Sequence, residues 1–497
     1  MIFNVLSAFL RFWNLTILDP YTDEAAHLIA AKEYLGTGAF DYTRAKLVTY
    51  FVVLFYRIGN PSTFYDYLFW GRIPGVIFGA LTVVPIYFLA KKISKPVAFI
   101  SALLWTTSPW AIGVARTVRE YTFYPLFILT AVLIFLKLLD LLFNYKKTYL
   151  FQIMISSLLT VAFVGYAFIL DSLSTLKISL IVFFSIAMYF YVINYKKIKK
   201  HILKNKTISI LVFLVLAFFI TIMFFYAYKS SQITFTKQEL SPLWFSFFFL
   251  PTKYPMHWWG RLIYFPFIGA FLFILGLLYA AILKNRYYFL YIAVFASTLI
   301  FFLFFFNRYV RPRYIFYALP FFTILIAVSI YGLIDLWRWR KTKSLSPKII
   351  FFFILGIFLF RFFYYQNIIY PVISDKHGYV NTTGEHHDRL KSTLNLLNTQ
   401  IEENDAIIGT IIIGALKLSN NNIEREKLFY YNHTDSQRFD RVQEVVERYS
   451  QGWMILDWRR NGSWSEGYPK EGKFMIGEVE VEVLQNKEGM QIYRWRH

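Results

Sequence analysis

The sequence predicts an all-α polytopic membrane domain of about 11 transmembrane helices, with interfacial helices in its first outer loop, followed by a small C-terminal extracytoplasmic α/β domain. Three observations carry this. The 497 residues are 57% hydrophobic and 21% aromatic, more apolar surface than a soluble core can hide. Long apolar runs alternate with short basic loops. After residue 370 the pattern changes to charged segments with soluble-protein periodicities, so domains are expected at 1–370 and 371–497.

Met1 to Leu10 reads as the outer end of a first spanning helix, because neither a basic segment nor a small-residue cleavage site precedes Arg11. Apolar runs long enough to span then lie near 72–90, 97–111, 122–143, 149–170, 174–195, 208–228, 261–283, 287–306, 314–336 and 349–370. Between alternate runs sit Lys91, Lys92 and Lys95; Lys146 and Lys147; six lysines from Lys196 to Lys206; Lys284 and Arg286; and the basic stretch from Arg338 to Lys348. The positive-inside rule places these loops in the cytoplasm, with the amino terminus. The formal charge of +22 is therefore a topology signal, and nucleic acid is not an expected partner. The absence of cysteine excludes disulfides, thiolate catalysis and cysteine-ligated metals.

Outside the membrane this leaves the first loop (11–71), a tight turn around Arg116–Tyr121, a loop at 229–260, the segment Asn307–Arg313 and the terminal domain. Ala45 to Tyr56 is apolar and aromatic but short for a span, and reads as an interfacial helix. The 229–260 loop, with Trp244, Trp258 and Trp259, reads as an aromatic belt or a sugar-stacking platform. In the terminal domain, Leu390, Leu394, Leu397 and Ile401 recur at helical spacing, as do Phe439, Val442, Val446 and Tyr449. Asp405–Ile413 and Trp453–Trp458 read as buried strands. The alternating segment from Glu478 to Val483 is expected to pair with Met490–Trp495 across Gln485–Gly489.

Candidate chemistry gathers on the outer side. Asp23 and Glu24 form an acidic pair in the first loop, and His27 follows one helical turn later. A metal is conceivable there but not favoured, since no second ligand cluster accompanies it and a carboxylate acting as general base needs none. Arg116 and Arg119, three apart, would point the same way from a helical turn and present forks suited to phosphate; the alternatives are snorkelling or pairing with Glu120. Arg308, Arg311 and Arg313 form a third cationic group. Arg361 and Lys177, inside or near the outer ends of spans, either reach a lipid phosphate or snorkel. An acidic pair and several cations on one membrane face are what a transferase with a membrane-held phosphate donor requires. The carboxylate takes the acceptor's proton, and the cations stabilise the leaving phosphate.

These residues resemble the GT-C glycosyltransferases that use polyprenyl-phosphate-linked sugars, particularly the branch of protein O-mannosyltransferases and lipid A aminoarabinose transferases. Arg11-Phe12-Trp13-Asn14-Leu15 followed by Asp23-Glu24-Ala25 is similar to the family's first-loop signature. Gly71-Arg72-Ile73-Pro74-Gly75 with Gly79 to Val83 is similar to its second-span pattern, and Ser108-Pro109 with Ala115-Arg116, Arg119, Glu120 and Tyr121 to its second outer loop. Arg313-Tyr314-Ile315 with Leu319-Pro320 resembles its late arginine-tyrosine motif. The resemblance implies an inverting transfer with Asp23 as base and Glu24 organising the site. It implies Arg116, Arg119, Arg311 and Arg313 as donor-phosphate residues, with no cofactor and a protein, lipid or glycan acceptor; Tyr121 and Tyr314 beside those arginines, and Lys177 and Arg361 from the residue reading, join them as donor-phosphate candidates. The family's proline-rich step after the first-loop helix is replaced here by Arg44-Ala45-Lys46-Leu47. Met256-His257-Trp258-Trp259-Gly260 lacks the Asp-Tyr-Gly of the related oligosaccharyltransferases. The competing readings are a transporter or flippase of lipid-linked glycans, which internal repeats and broken spans would favour, and a non-catalytic member of a glycan assembly complex.

Overall fold

The computed structural model describes residues 2–16, 20, 22–39, 45–143, 152, 155–156, 158–160, 182, 186, 276, 279, 286–305, 319–339, 390–409, 411–419, 424–430, 438–457, 468–469, 471–487 and 490–497. The described chain is mostly helical, with one sheet near its C-terminal end. It divides into two compact units. The first holds Met1–Phe12, Gly75–Ala115 and Glu120–Ile369; the second holds Trp13–Pro74, Arg116–Arg119 and Tyr370–His497.

In the first unit, α1 (Ile2–Phe12) turns Ile2, Val5 and Phe9 outward and buries Ser7 and Arg11. Helix α4 (Phe64–Leu81) begins in the second unit and passes into the first, and α5 (Val83–Lys91) continues it. The start of α4 is fixed by a capping box. The Thr63 hydroxyl accepts from the Asp66 N–H at 3.2 Å, and the Asp66 carboxylate accepts from the Thr63 N–H at 2.9 Å. Helix α6 (Lys95–Thr107) is capped by Ser94, whose hydroxyl accepts from the Val97 N–H at 3.3 Å, with Pro96 inside the first turn. Extended Ser108 separates α6 from α7 (Pro109–Ala115), so the apolar run predicted at 97–111 is two helices.

Helix α8 (Glu120–Phe143) packs on α5, α10 (Leu319–Trp339) packs on α6, and α9 (Arg286–Phe305) packs on α10. Gly79 permits the close approach of α4 to α7. A β-carbon there would lie 2.6 Å from that of Ala115 and 3.3 Å from Arg11 Nε. The Arg11 guanidinium donates to Ser7 Oγ at 2.6 Å and to the carbonyls of Trp105 and Thr106, each at 3.3 Å. It thereby supplies donors to two carbonyls in the last turn of α6, one of which, that of Trp105, also accepts from the Ser108 N–H. Two stretches among the described residues, Phe64–Lys91 and Glu120–Leu141, are long and apolar enough to cross a membrane. The spans expected at 149–170, 174–195, 208–228, 261–283 and 349–370 lie wholly or mostly outside the described residues, and so does the count of about 11.

The second unit contains α2 (Thr22–Thr37), α3 (Lys46–Gly59) and the terminal α/β fold. The helix expected at Ala45 to Tyr56 is α3, with Val48, Val52, Val53 and Tyr56 buried and Tyr50, Leu54 and Ile58 outward. The terminal fold runs α11 (Leu390–Gln400), β1 (Ala406–Gly409), α12 (Ile411–Ser419), β2 (Leu428–Tyr430), α13 (Arg438–Arg448), β3 (Gln451–Asp457), β4 (Lys473–Ile476), β5 (Val479–Lys487) and β6 (Met490–Arg496). The sheet order is β2-β1-β3-β6-β5-β4, with β2, β1 and β3 parallel and the remaining pairings antiparallel.

Both helical stripes expected here form α11 and α13, and Val442 and Val446 enter the core with Met454, Leu456, Val481 and Trp495. The expected β5–β6 pairing forms, with a register shift between Val483 and Gln485, but the loop expected at Gln485–Gly489 is corrected: Gln485, Asn486 and Lys487 continue β5 and pair with Ile492, Gln491 and Met490. Gly477, at φ 60°, makes the tight reversal from β4 to β5. The predicted strand at Asp405–Ile413 is corrected. It stops at Gly409, and Ile411 to Ile413 open α12, because a short apolar run does not itself distinguish strand from buried helix.

Candidate active site

Asp23 and Glu24 lie in the first turn of α2, where acidic residues complement the helix dipole. Glu24 is 1% exposed and bound bidentately by Arg72, which comes from α4 and is equally buried. Arg72 Nε donates to Glu24 Oε1 at 2.8 Å and Arg72 Nη2 to Oε2 at 3.0 Å. Arg72 Nη1 donates to the Leu15 carbonyl at 2.8 Å, and the Val118 N–H donates to Glu24 Oε1 at 3.1 Å. A single carboxylate therefore ties together α2, α4 and the 116–119 segment, while Arg72 reaches back to the chain before α2. Two charges removed from water survive only with such full pairing.

The 116–119 segment is a bend between α7 and α8, so the expectation that Arg116 and Arg119 share a face of a helical turn is corrected. Both arginines are buried, at 2% and 5% exposure. Arg116 Nη2 donates to the Trp13 carbonyl. The structure thus brings Glu24 and the Arg116–Arg119 bend together within one unit, and Asp23 precedes Glu24 in the same helical turn. Tyr121, in the first turn of α8, is 6% exposed. Lys177, Arg311, Arg313, Tyr314 and Arg361 lie outside the described residues.

His27 points to α3 rather than to a ligand cluster, with Nδ1 2.9 Å from Thr49 Oγ1 and both side chains buried. Among the described residues, no group of three or more His, Cys, Asp or Glu could hold a metal ion. Close approach continues at Gly71, where a β-carbon would meet Leu28 Cδ2 at 2.2 Å and Tyr56 Oη at 3.2 Å. Burial holds the Tyr56 hydroxyl well above its ordinary range, and the nearby Tyr67 and Glu24 push it the same way. The packed face of α2 therefore carries the ionic anchor and the His27 contact, and it fixes where the helix starts.

On another side, α2 meets α12 of the terminal fold. A β-carbon at Gly414 would lie 3.2 Å from that of Ala25 and 3.6 Å from Ile29 Cδ1. Lys32 Nζ donates to the carbonyls of Lys417 and Leu418, at 3.0 and 2.8 Å, and so caps the C-terminal end of α12. The same ammonium lies 4.9 Å from the centre of the Tyr67 ring. Sequence inspection picked out Glu24 but assigned no role to Arg72, Lys32 or Gly414. Arg72 was visible as a lone cation beside an apolar run, whereas Lys32 and Gly414 carried no local signal.

No family model and no curated protein matches the chain. Solved structures do. The apo structure of ArnT from Cupriavidus metallidurans has a TM-score of 0.56 at 11% identity, over 99% of this chain and 97% of that one. ArnT bound to undecaprenyl phosphate gives a TM-score of 0.54 at 11% identity, with the same coverage. The archaeal oligosaccharyltransferase AglB from Archaeoglobus fulgidus, in complex with an inhibitory peptide and a dolichol-phosphate, gives 0.55 at 11% identity, over 93% of this chain and 73% of that one. The chain has the fold of these GT-C structures.

Proposed function

We propose that this chain is a multi-pass membrane glycosyltransferase that moves a sugar from a polyprenyl-phosphate donor to a protein, lipid or glycan acceptor on the outer membrane face. The amino terminus is then cytoplasmic and residues 371–497 extracytoplasmic. The observation that carries this reading is the anchored start of α2, where Glu24, bound by Arg72, sets the first helical turn that also contains Asp23. The fold supports it, since ArnT and AglB structures hold undecaprenyl phosphate and a dolichol-phosphate respectively.

In this reading Asp23 takes the proton of the acceptor hydroxyl. The acceptor oxygen bonds to the anomeric carbon on the side opposite the phosphate. The carbon–oxygen bond to phosphate breaks, and its electron pair leaves on the phosphate oxygen, so the anomeric configuration inverts. Arg116, Arg119, Arg311 and Arg313 are the candidates to neutralise that charge, with Tyr121, Tyr314, Lys177 and Arg361 as further candidates. Glu24 positions rather than abstracts, because its oxygens accept from Arg72 and Val118. The step as written uses no metal.

The test supplies the full-length protein in vesicles with labelled polyprenyl-phosphate sugars and native membrane extract as acceptor source. Label transfer by the native protein that falls at least about 100-fold in a folded Asp23→Asn variant is expected. Equal transfer by both proteins would remove Asp23 as base. Movement of the labelled lipid between leaflets without transfer would replace the enzyme by a flippase.

A further inference from the structure

A shallow, open depression of about 500 Å³ lies in the first unit, against the C-terminal end of α5 and the later turns of α8, lined by Phe88, Lys91, Lys92, Leu133, Ile134 and Lys137. Its composition is layered. Phe88, 47% exposed, with half-buried Leu133 and Ile134, makes an apolar floor, and three lysines stand around it. Lys92 is held in the wall, 3.4 Å from Asp140 and 5.2 Å from the centre of the Tyr287 ring. Lys91 and Lys137 are exposed, with Lys91 Nζ 5.7 Å from the Phe88 ring centre. Among the described residues lining the pocket, three are lysines and none is acidic, and Asp140 lies beside Lys92.

We infer that this pocket binds an anionic glycerophospholipid, with the phosphate between Lys91 and Lys137 and the acyl chains along Phe88, Leu133 and Ile134. The proposal rests only on the membrane location in the functional reading and not on transferase activity. A soluble anion would need the lysines but not an exposed aromatic and aliphatic floor. Bulk snorkelling would need the long side chains but not lysines from two helices around one shared apolar floor. The helices that form the pocket belong to the two stretches long and apolar enough to cross a membrane, and the basic loop beside it is the one sequence pattern places in the cytoplasm. Anionic lipids enrich that leaflet, and basic pockets between spans select their head groups.

The test is native mass spectrometry of the full-length protein in detergent, with phosphatidylglycerol, phosphatidylcholine or inorganic phosphate added at matched concentration. Phosphatidylglycerol is expected to be retained over phosphatidylcholine, and retention is expected to weaken with rising salt. A Lys91→Gln/Lys137→Gln variant should lose about 30-fold in apparent affinity, at about 1 kcal/mol per lysine. Lys91→Arg/Lys137→Arg should restore it, and Lys473→Gln, in the terminal fold, should change nothing. Equal retention of the two lipids, salt-independent retention, or an unaltered affinity in the double glutamine variant would overturn the proposal. So would inorganic phosphate competing as well as the lipid. The salt series uses only the native protein and so decides the matter even where the glutamine variant is unstable. A positive lipid result with no sugar transfer would leave this site standing and remove the proposed enzyme.

Discussion

At Glu24 the decisive quantity is desolvation. Glu24 and Arg72 are each 1% exposed, and their two parallel hydrogen bonds, with the Val118 N–H, replace the water they lost. Arg72→Met removes three donors and leaves an uncompensated buried carboxylate, so a loss of about 3–5 kcal/mol is expected. Glu24→Gln keeps the shape but strands the guanidinium and should cost a similar amount. The combined variant should lose clearly less than the sum of the two, because the second substitution removes the charge that the first left unpaired. Melting of the three variants in detergent would check this, and strictly additive losses would dissolve the pair. The acidic pair was visible in the sequence because two adjacent carboxylates in an apolar chain are conspicuous. That Glu24 would be consumed by an arginine 48 positions later was not visible, since pairing of this kind exists only once α2 and α4 pack. That Glu24 holds α2 to α4 therefore emerges only from tertiary structure.

At the scale of elements, glycines mark where helices are forced together and where they are not. Gly59, at the end of α3, has no room for a side chain, because a β-carbon would lie 2.0 Å from the Trp70 ring. Gly36, in the last turns of α2, meets nothing within 4 Å. Gly59→Ala should therefore destabilise by about 1–3 kcal/mol through overpacking, whereas Gly36→Ala should stabilise by a few tenths to about 1 kcal/mol through helix propensity. Opposite shifts in melting temperature are the expected result, and equal shifts would show that the close contact at Trp70 relaxes without cost. Helices with a clear apolar pattern, such as α3 and α13, were legible from sequence, whereas the break between α6 and α7 was not. Nor was the boundary between β1 and α12, because Ile407 and Ile408 on one side of Gly409-Thr410 and Ile411, Ile412 and Ile413 on the other give the same apolar signal to two different elements. The 116–119 bend was misread for a related reason. Residues three apart suggest a helical turn, but the backbone there serves Glu24 rather than an intrahelical ladder.

At the scale of the whole molecule, the first-loop helix and the terminal fold, more than 350 positions apart, belong to one compact unit. Sequence composition separates residues 371–497 cleanly because charge and periodicity change there, yet composition carries no information about which surface such a fold uses. The contact between α2 and α12 depends on one small residue, Gly414, and on one cation, Lys32, placed at the negative end of α12. Lys32→Met preserves the aliphatic stem and its packing but deletes both hydrogen bonds to the Lys417 and Leu418 carbonyls. For a half-buried cap of this kind the loss is about 1 kcal/mol. If the terminal fold is held by this contact, hydrogen exchange in the last turn of α12 should rise roughly five-fold in the variant. Exchange in β3 and β6, whose ladder runs from Gln451–Arg496 to Asp457–Met490, should be unaltered. An increase spread evenly over α12, β3 and β6 would mean that Lys32 supports the global stability of the fold. No increase anywhere would mean that the Gly414 packing alone joins the two segments. A local increase accompanied by unchanged helix content would mean that Lys32 secures the last turn of α12 against α2.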